Sequence, residues 1–426
     1  MFDGNIQLGK RLSGEEIDNR IAFCIALQFF FWKISYSLKG IFYIGDSSSR
    51  FLFTLVLMLL SAFFFIKNLR YVFAERYILI INVYVVFVLL FTFSFIRYQE
   101  IADYIFQCGM DTGLLCLPMF FFTLSLKSYK KLYEYMVKFS YPSIILSFLA
   151  FYIHYINNSA LQYDMSVSYI GLLPIIFIIN DMFVKPKLAK VGFVGLGLFT
   201  TFTAGSRGPL VSMLAFIFML FVFDLHRMKF YIKLIFGTVF GSTMLVVLNS
   251  GLIQSLANLL TGWGINSRSL YLIANEGLMD MSGRDILYRS AYEFITKNPI
   301  TGYGVASDIF LLKIGYTHNV LYQIALEFGV FVLVIFIAYV IYMSICALKS
   351  KDQYIRWFYV IFFCSGFIPL LMSSTYLRSQ EFFVMVAVGT AAVTASRKVK
   401  REKRKENSAK AFVKNQRTAD SLKGRA

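Results

Sequence analysis

The sequence predicts an all-α fold: a polytopic transmembrane helix bundle of about 12 spans with one large external loop that contains an amphipathic helix. Three observations predict it. The 426 residues are 58% hydrophobic and 18% aromatic but only 15% charged, whereas soluble domains carry about 25% charge. Apolar runs long enough to be read against the roughly 20 residues that cross the hydrocarbon layer recur along the chain. Lys and Arg collect in alternate breaks between those runs, the pattern of short loops retained on the cytoplasmic side.

Taken in order, the spans fall near 21–44, 51–66, 77–95, 104–125, 139–156, 169–184, 188–204, 208–223, 230–248, 317–345, 356–374 and 378–395. The first is interrupted by Lys33 and Lys39, whose long stems would let both ammonium groups snorkel towards an interface. Residues 1–20 are polar and mixed in charge, and no small-residue cleavage site follows the first apolar run, so an anchor is expected rather than a removable signal. With the N-terminus inside, the inside segments hold 31 of the 42 Lys and Arg residues, and the outside short loops hold only Arg50, Arg97, Arg207 and Arg378. Both termini are therefore expected in the cytoplasm, and residues 1–395 form the membrane domain.

The segment from about Asn249 to Tyr316 (249–316) is then a single external loop of 68 residues. A loop of that length without structure of its own is uncommon unless it is functional or disordered. Here Ser282 with Asp285 three residues on has the form of a helix N-cap box, and Asp285 with Arg289 is an i,i+4 pair. Leu287, Ala291, Phe294 and Ile295 make one apolar stripe. Asn298-Pro299 stops the helix, and Gly302 and Gly304 mark a turn. These residues predict an amphipathic helix against the outer mouth of the bundle. The tail, 396–426, contains RKVKREKRKE at Arg397 to Glu406. It is expected to be a charge run with no fold of its own, solvated at the anionic inner leaflet.

A net charge of +18 could indicate nucleic acid, but the positive residues lie between apolar runs and in the tail rather than on one face of a domain, so no nucleic-acid partner is expected. The five cysteines, Cys24, Cys108, Cys116, Cys346 and Cys364, fall within or at the ends of apolar runs with no close motif. They speak against a disulfide framework or a zinc site. With no HExxH, no Cys/His cluster and no Asp-x-Asp pair, neither a metal nor another cofactor is expected. Asp111 and Asp181, inside or at the ends of spans, are the main sequence support for a transporter.

Four polar residues stand out as candidates for chemistry. Arg207 opens the eighth span, with Ser206 placed to cap it and Pro209 in its first turn. A guanidinium beside a helix N-terminus suits an anion such as a phosphate; contact with lipid headgroups is the alternative. Arg284 and Arg289 are five positions apart, about 140° on a helix, so they do not share a face; Arg284 is expected to contact the site and Arg289 to brace the loop. His318 heads a helix, so that His318, Tyr322, Ala325 and Gly329 form one face, while Glu327 is turned about 180° away and is no natural orienting partner. A neutral imidazole there could take a proton from a hydroxyl, or be an interfacial polar group only.

In order, TAGSRGPL, SGRDILYRSAYEFITKNPITGYG and THNVLYQIALEFG resemble the membrane family of O-antigen ligases and Wzy-type polysaccharide polymerases, over roughly residues 195–345. The resemblance implies inverting, metal-independent glycosyl transfer on the outer face of a bacterial inner membrane. The donor would be an oligosaccharide on a polyprenyl (undecaprenyl) pyrophosphate, and the acceptor a sugar hydroxyl on a second lipid-linked unit. It carries over Arg207, Arg284 and Arg289 as pyrophosphate ligands, His318 as the base and Asn319 as a further substrate-binding residue, with Arg284 also counted as catalytic. A chain-length regulator and a flippase would be partners, alongside membrane lipid. Pro209 follows Ser-Arg-Gly, and Val332 stands where ligases tend to have Gly, Thr or Tyr, so a repeat-unit polymerase for O-antigen or capsule is expected over a ligase acting on lipid A core. The rival of another class, a lipid-linked oligosaccharide flippase, would need charges in a central cavity and no large external loop.

Overall fold

The computed structural model describes residues 13–41, 47–157, 165–203, 206–224, 284–313 and 315–423, with isolated positions between 237 and 262. Among these residues there are helices and short 3-10 and π turns and no strand. The helices are α1 (Gly14–Ile41), α2 (Ser47–Arg97), α3 (Ala102–Met110), α4 (Leu117–Leu124), α5 (Lys130–Asn157), α6 (Met165–Val184), α7 (Leu188–Thr203) and α8 (Arg207–Asp224). Further along the chain come α9 (Arg284–Lys297), α10 (Ser307–Leu312), α11 (Val320–Phe328), α12 (Val330–Leu348), α13 (Gln353–Phe362) and α14 (Gln380–Lys423); of the loop expected at 249–316, residues before 284 lie outside the described residues apart from isolated positions.

Where about 12 spans are expected, six stretches of the described residues are long and apolar enough to cross a membrane: Leu55–Arg97, Gln99–Leu124, Lys130–Ile153, Val330–Leu348, Gln353–Leu371 and Gln380–Ser408. Three shorter apolar helices, Ser168–Val184, Leu188–Thr201 and Gly208–Phe223, coincide with expected spans. The span expected at 230–248 falls, apart from isolated positions, outside the described residues, as does Ser282. The spans expected at 51–66 and 77–95 lie in two helical stretches that meet within α2 at a kink, the non-helical backbone of Arg76 (φ −141°, ψ 19°), whose guanidinium donates to the Leu124 carbonyl at 2.9 Å. The span expected at 317–345 is shortened, because Gly329 (φ 86°, ψ 167°) separates α11 from α12.

That break is made by the preceding turn. Tyr303 and Gly304 donate their N–H groups to the Leu326 and Glu327 carbonyls at 2.9 and 2.8 Å, and Val330 N–H donates to the Pro299 carbonyl at 2.7 Å. The Leu326 and Glu327 carbonyls are ones a helix C-terminus otherwise leaves without partners. Any Cβ at Gly329 would run into the Ile300 carbonyl, and one at Gly302 (φ 63°) into the backbone of Glu327, which is why glycine is needed at both. The amphipathic helix expected after residue 282 is α9. Its Leu287, Ala291 and Ile295 are buried and Phe294 is half-buried, packed with Leu312, Ala325 and Leu326, while Tyr288 stacks on Tyr322 of α11 with ring centroids 4.9 Å apart. No ion pair joins Asp285 to Arg289; both are exposed on α9.

Lys33 does not snorkel. It is 7% exposed, and its ammonium donates to the Ile170 carbonyl at 3.0 Å. Pro174 lies inside α6 and has no N–H with which to reach the carbonyl four residues back, so Lys33 supplies the donor the helix lacks. The side chain of Lys39 lies outside the described residues. The tail also differs from expectation: α14 runs without a break through Arg397–Glu406 to Lys423. Lys, Arg, Glu and Ala are strong helix formers, and the preceding apolar turns supply the nucleus that a free charge run would lack.

Two groups of contacts join segments distant in the chain. In one, Asp18 accepts the N–H groups of Lys127 and Ser128 at 3.1 and 3.0 Å, and Asn180 bonds to Tyr133 at 3.0 Å. In the other, Tyr98 donates to the Tyr303 carbonyl at 2.7 Å, and Thr112 to the Leu377 carbonyl at 2.6 Å.

Candidate active site

The second group gathers four segments: the end of α3 with its π turn (Asp111–Cys116), the start of α9, the stretch leading into α11, and the turn 372–378 between α13 and α14. The turn is the common element. Arg284 Nη1 donates to its Met372 carbonyl. Arg378 Nε pairs with Asp111 Oδ2 at 2.9 Å, and its guanidinium lies over the Tyr104 ring, 5.7 Å from the centroid. π turns within helices are frequent at functional sites because the extra residue redirects side chains. Here it aims both Asp111 and Thr112 at the 372–378 turn.

His318 lies directly before this structure, and not on the helix expected to carry it. Its backbone is left-handed (φ 54°), a conformation uncommon for a non-glycine residue and found where surrounding bonds enforce it. Those bonds come from both sides. Asp308 Oδ2 accepts the Thr317 N–H at 3.1 Å, and Asn319 caps α11 by accepting the Leu321 N–H at 2.9 Å. The helical face expected to include His318 therefore begins only at Val320, and the side-chain oxygen of Asn319 is already used as a cap. The imidazole rests against the Tyr316 ring with centroids 3.9 Å apart, and its Nδ1 is buried without a hydrogen-bond partner.

Arg284 lies near enough to His318 for its charge to act on the imidazole. Burial first, and the Arg284 guanidinium second, push the His318 pKa down to about 4, below the ordinary value near 6.5 on which an unperturbed imidazole would rest. Burial pushes the Tyr316 hydroxyl up, although the Ser374 backbone and the Arg284 and Arg378 guanidiniums act in the opposite sense. Arg289 is exposed on α9, on a different face from the half-buried Arg284. Arg207 opens α8, which packs against Pro369–Leu371 immediately before the turn; its side chain lies outside the described residues. The backbone at Gly208 closely approaches the Tyr169 hydroxyl, leaving no room for a Cβ.

Two buried carboxylates lie beside this site, Asp308, which the sequence did not single out, and Glu327, which it set aside. Asp308 is 1% exposed and Glu327 fully buried. Burial holds Asp308 up at about 6, and burial with the Asp308 charge holds Glu327 up at about 8. Glu327 does not touch His318; it accepts from the Ala306 N–H at 2.9 Å, from Gln323 Nε2 at 3.0 Å and from Tyr376 Oη at 2.5 Å. The signal in the sequence was Gln323 and Glu327, four residues apart in an apolar run, since an ionisable group in such a run is costly and commonly functional. Arg378 carried no signal beyond lying in a short loop expected outside, and Tyr316 none beyond ending the long one. The two acids that could have marked a transport path are ion-paired: Asp111 with Arg378, and Asp181 with Lys190 at 2.6 Å.

Comparison with curated proteins gives no match, and neither does comparison with solved structures. Residues 192–337 match the family model Wzy_C, described as O-Antigen ligase. That segment contains Arg207, Arg284, Arg289, His318 and Asn319 and ends within α12. The segment that carries His318 and Arg284 is thus similar to the family described as O-Antigen ligase.

Proposed function

We propose that this protein is a membrane glycosyltransferase that polymerises surface-polysaccharide repeat units, O-antigen or capsule. It would transfer a glycan from a polyprenyl pyrophosphate to a sugar hydroxyl of a second lipid-linked unit, at the outer face of the bacterial inner membrane. The observation that carries this reading is the neighbourhood of His318: a buried imidazole nitrogen without a partner, beside a guanidinium that can hold an anion. In the proposed reaction, the acceptor oxygen attacks the anomeric carbon as the carbon–oxygen bond to the pyrophosphate breaks. The hydroxyl proton passes to His318, and the bonding pair leaves with the pyrophosphate. Guanidinium forks stabilise that growing charge through paired, charge-assisted hydrogen bonds. Arg284 is the ligand best supported by position. Arg207, at a helix N-terminus packed near the same turn, would be the second, and Arg289 would contribute from the rim.

A ligase acting on lipid A core would use the same donor site, and Val332 is the residue that favours the polymerase. Both termini are read as cytoplasmic from the charge pattern, with a flippase and a chain-length regulator as functional partners. The deciding experiment incubates purified protein in liposomes with polyprenyl-pyrophosphate-linked repeat units, with and without lipid A core. A ladder of products without core supports the polymerase. A single transfer that requires core supports the ligase, and no covalent product with either would overturn the reading.

A further inference from the structure

The 372–378 turn has no regular secondary structure beyond the short 3-10 segment Tyr376–Arg378, yet it orients Arg284 through Met372 and presents Arg378. What holds it is a buried polar network centred on Glu327. One carboxylate oxygen accepts from the Ala306 N–H and from Gln323 Nε2; the other accepts from Tyr376 Oη at 2.5 Å. Gln323 Nε2 also donates to Thr375 Oγ1 at 2.9 Å, and Thr375 Oγ1 in turn accepts the Leu377 N–H at 3.3 Å. Ala306 is itself left-handed (φ 59°), a conformation an alanine keeps only when its surroundings impose it. Glu327 thus ties α11, the 304–306 stretch and the turn together, without contact with His318 or Arg284.

We propose that Glu327 is a positioning residue for glycosyl transfer: through Tyr376, and through Gln323 and Thr375, it fixes the 372–378 turn so that Arg284 meets the donor pyrophosphate at a set distance from His318. This rests on the reading of Arg284 as donor ligand and His318 as base. It differs from a general role in packing because the link is made of single hydrogen bonds that can be removed or replaced one at a time. The acidic charge is not what the role requires. A group that can share hydrogen bonds with Ala306, Gln323 and Tyr376 suffices, and burial favours the protonated carboxyl.

The test uses the full-length protein with spin labels at Tyr292 on α9 and Ser374 in the turn, the native cysteines being buried. It measures the distance between labels without substrate and, separately, KM and kcat with the lipid-linked donor. Tyr376→Phe removes one hydroxyl, and Glu327→Ala removes the whole centre. Both should broaden or shift the distance distribution and raise donor KM about tenfold, the size of one lost hydrogen bond, with a smaller change in kcat. Glu327→Gln should restore a narrow distribution and a near-parental KM. A narrow, unshifted distribution in Tyr376→Phe and Glu327→Ala would overturn the proposal, as would a Glu327→Gln variant no better than Glu327→Ala. If Glu327→Ala does not accumulate, Tyr376→Phe decides alone. A disturbed distance with unchanged KM shows a turn that Glu327 positions but that donor binding does not use; this overturns the positioning role in transfer and counts against Arg284 as donor ligand. Absence of any transfer in the parent protein, with the distance behaviour intact, would instead overturn the functional reading alone.

Discussion

Asp308 Oδ2 accepts the backbone N–H of Thr317 at 3.1 Å, one residue before His318. The same carboxylate accepts the Ile309 N–H at 3.1 Å through its other oxygen, so a buried side chain of α10 sets the path of the chain into the left-handed His318. Asp308→Ala leaves two donors without this acceptor, at about 1–3 kcal/mol for each that stays buried. It should also cut transfer by roughly 10²-fold, the scale of a small misplacement of a reacting group. Asp308→Asn keeps one acceptor oxygen and should fall between. The raised pKa adds a pH test. Between the ordinary carboxylate value and about 6, the folded protein holds a proton that the unfolded chain has lost, so stability falls as pH rises through that window and is level above it. Asp308→Asn should flatten that slope in thermal unfolding. Full activity in Asp308→Ala would show that the His318 segment holds its path without the carboxylate.

Arg284 should act by shape as well as charge. Its guanidinium holds the Met372 carbonyl and retains further N–H groups for an anion, whereas a lysine offers one point charge. Arg284→Lys should therefore lose about 3–4 kcal/mol of transition-state stabilisation, a fall of a few hundredfold or more in kcat/KM. Arg289→Lys, exposed on the other face of α9, should lose far less, and both proteins should accumulate in the membrane as the parent does. Transfer by Arg284→Lys at the parental rate would remove Arg284 from the site.

Much of this arrangement was legible in the sequence, and the reasons are physical. The α9 stripe and the stop at Asn298-Pro299 follow from local rules: a 3.6-residue period and a proline that cannot continue a helix. Gly302 is legible for the same reason, because a left-handed turn leaves few other choices. The division of the 317–345 run into α11 and α12 was not legible, because it depends on a turn some 25 residues earlier docking its N–H groups onto the α11 carbonyls. His318 was singled out by its residue type, but its conformation was misjudged, since the bond from Asp308 that bends the chain is not local to α11. Glu327 was set aside as facing away from His318. It does face away, and its partner proved to be Tyr376, 49 residues on, which no helical wheel brings into view.

The pairing of Lys33 with Pro174 makes a prediction about the bundle itself. Lys33→Leu leaves the Ile170 carbonyl without its donor, a loss of about 1–3 kcal/mol where that carbonyl is buried, and should lower the unfolding midpoint in detergent. Pro174→Ala restores an N–H four residues after Ile170. The double variant Lys33→Leu with Pro174→Ala should therefore be more stable than Lys33→Leu alone, a coupling that a double-mutant cycle measures directly. Additive effects would mean that the ammonium and the proline do not serve the same carbonyl.

The pH profile tests the base most directly, because His318 stands in two electrostatic settings. In the free protein, burial and the Arg284 charge hold its pKa at about 4, so the acid limb of kcat/KM, which reports the free enzyme, should lie near pH 4 rather than near the roughly 6.5 of an unperturbed histidine. Once a pyrophosphate occupies Arg284, its negative charge offsets the guanidinium and favours the imidazolium, so the limb in kcat should lie at higher pH. The upward shift also makes the bound imidazole a stronger base at the moment it is needed. Arg284→Gln removes the guanidinium from the free protein and should move the kcat/KM limb upward as well, narrowing the gap between the two profiles. His318→Gln keeps hydrogen-bonding capacity but takes no proton in this range; it should lose roughly 10²- to 10⁴-fold in rate, and its residual activity should show neither limb. If His318→Gln transfers at nearly the parental rate, His318 only positions the acceptor and another group must take the proton.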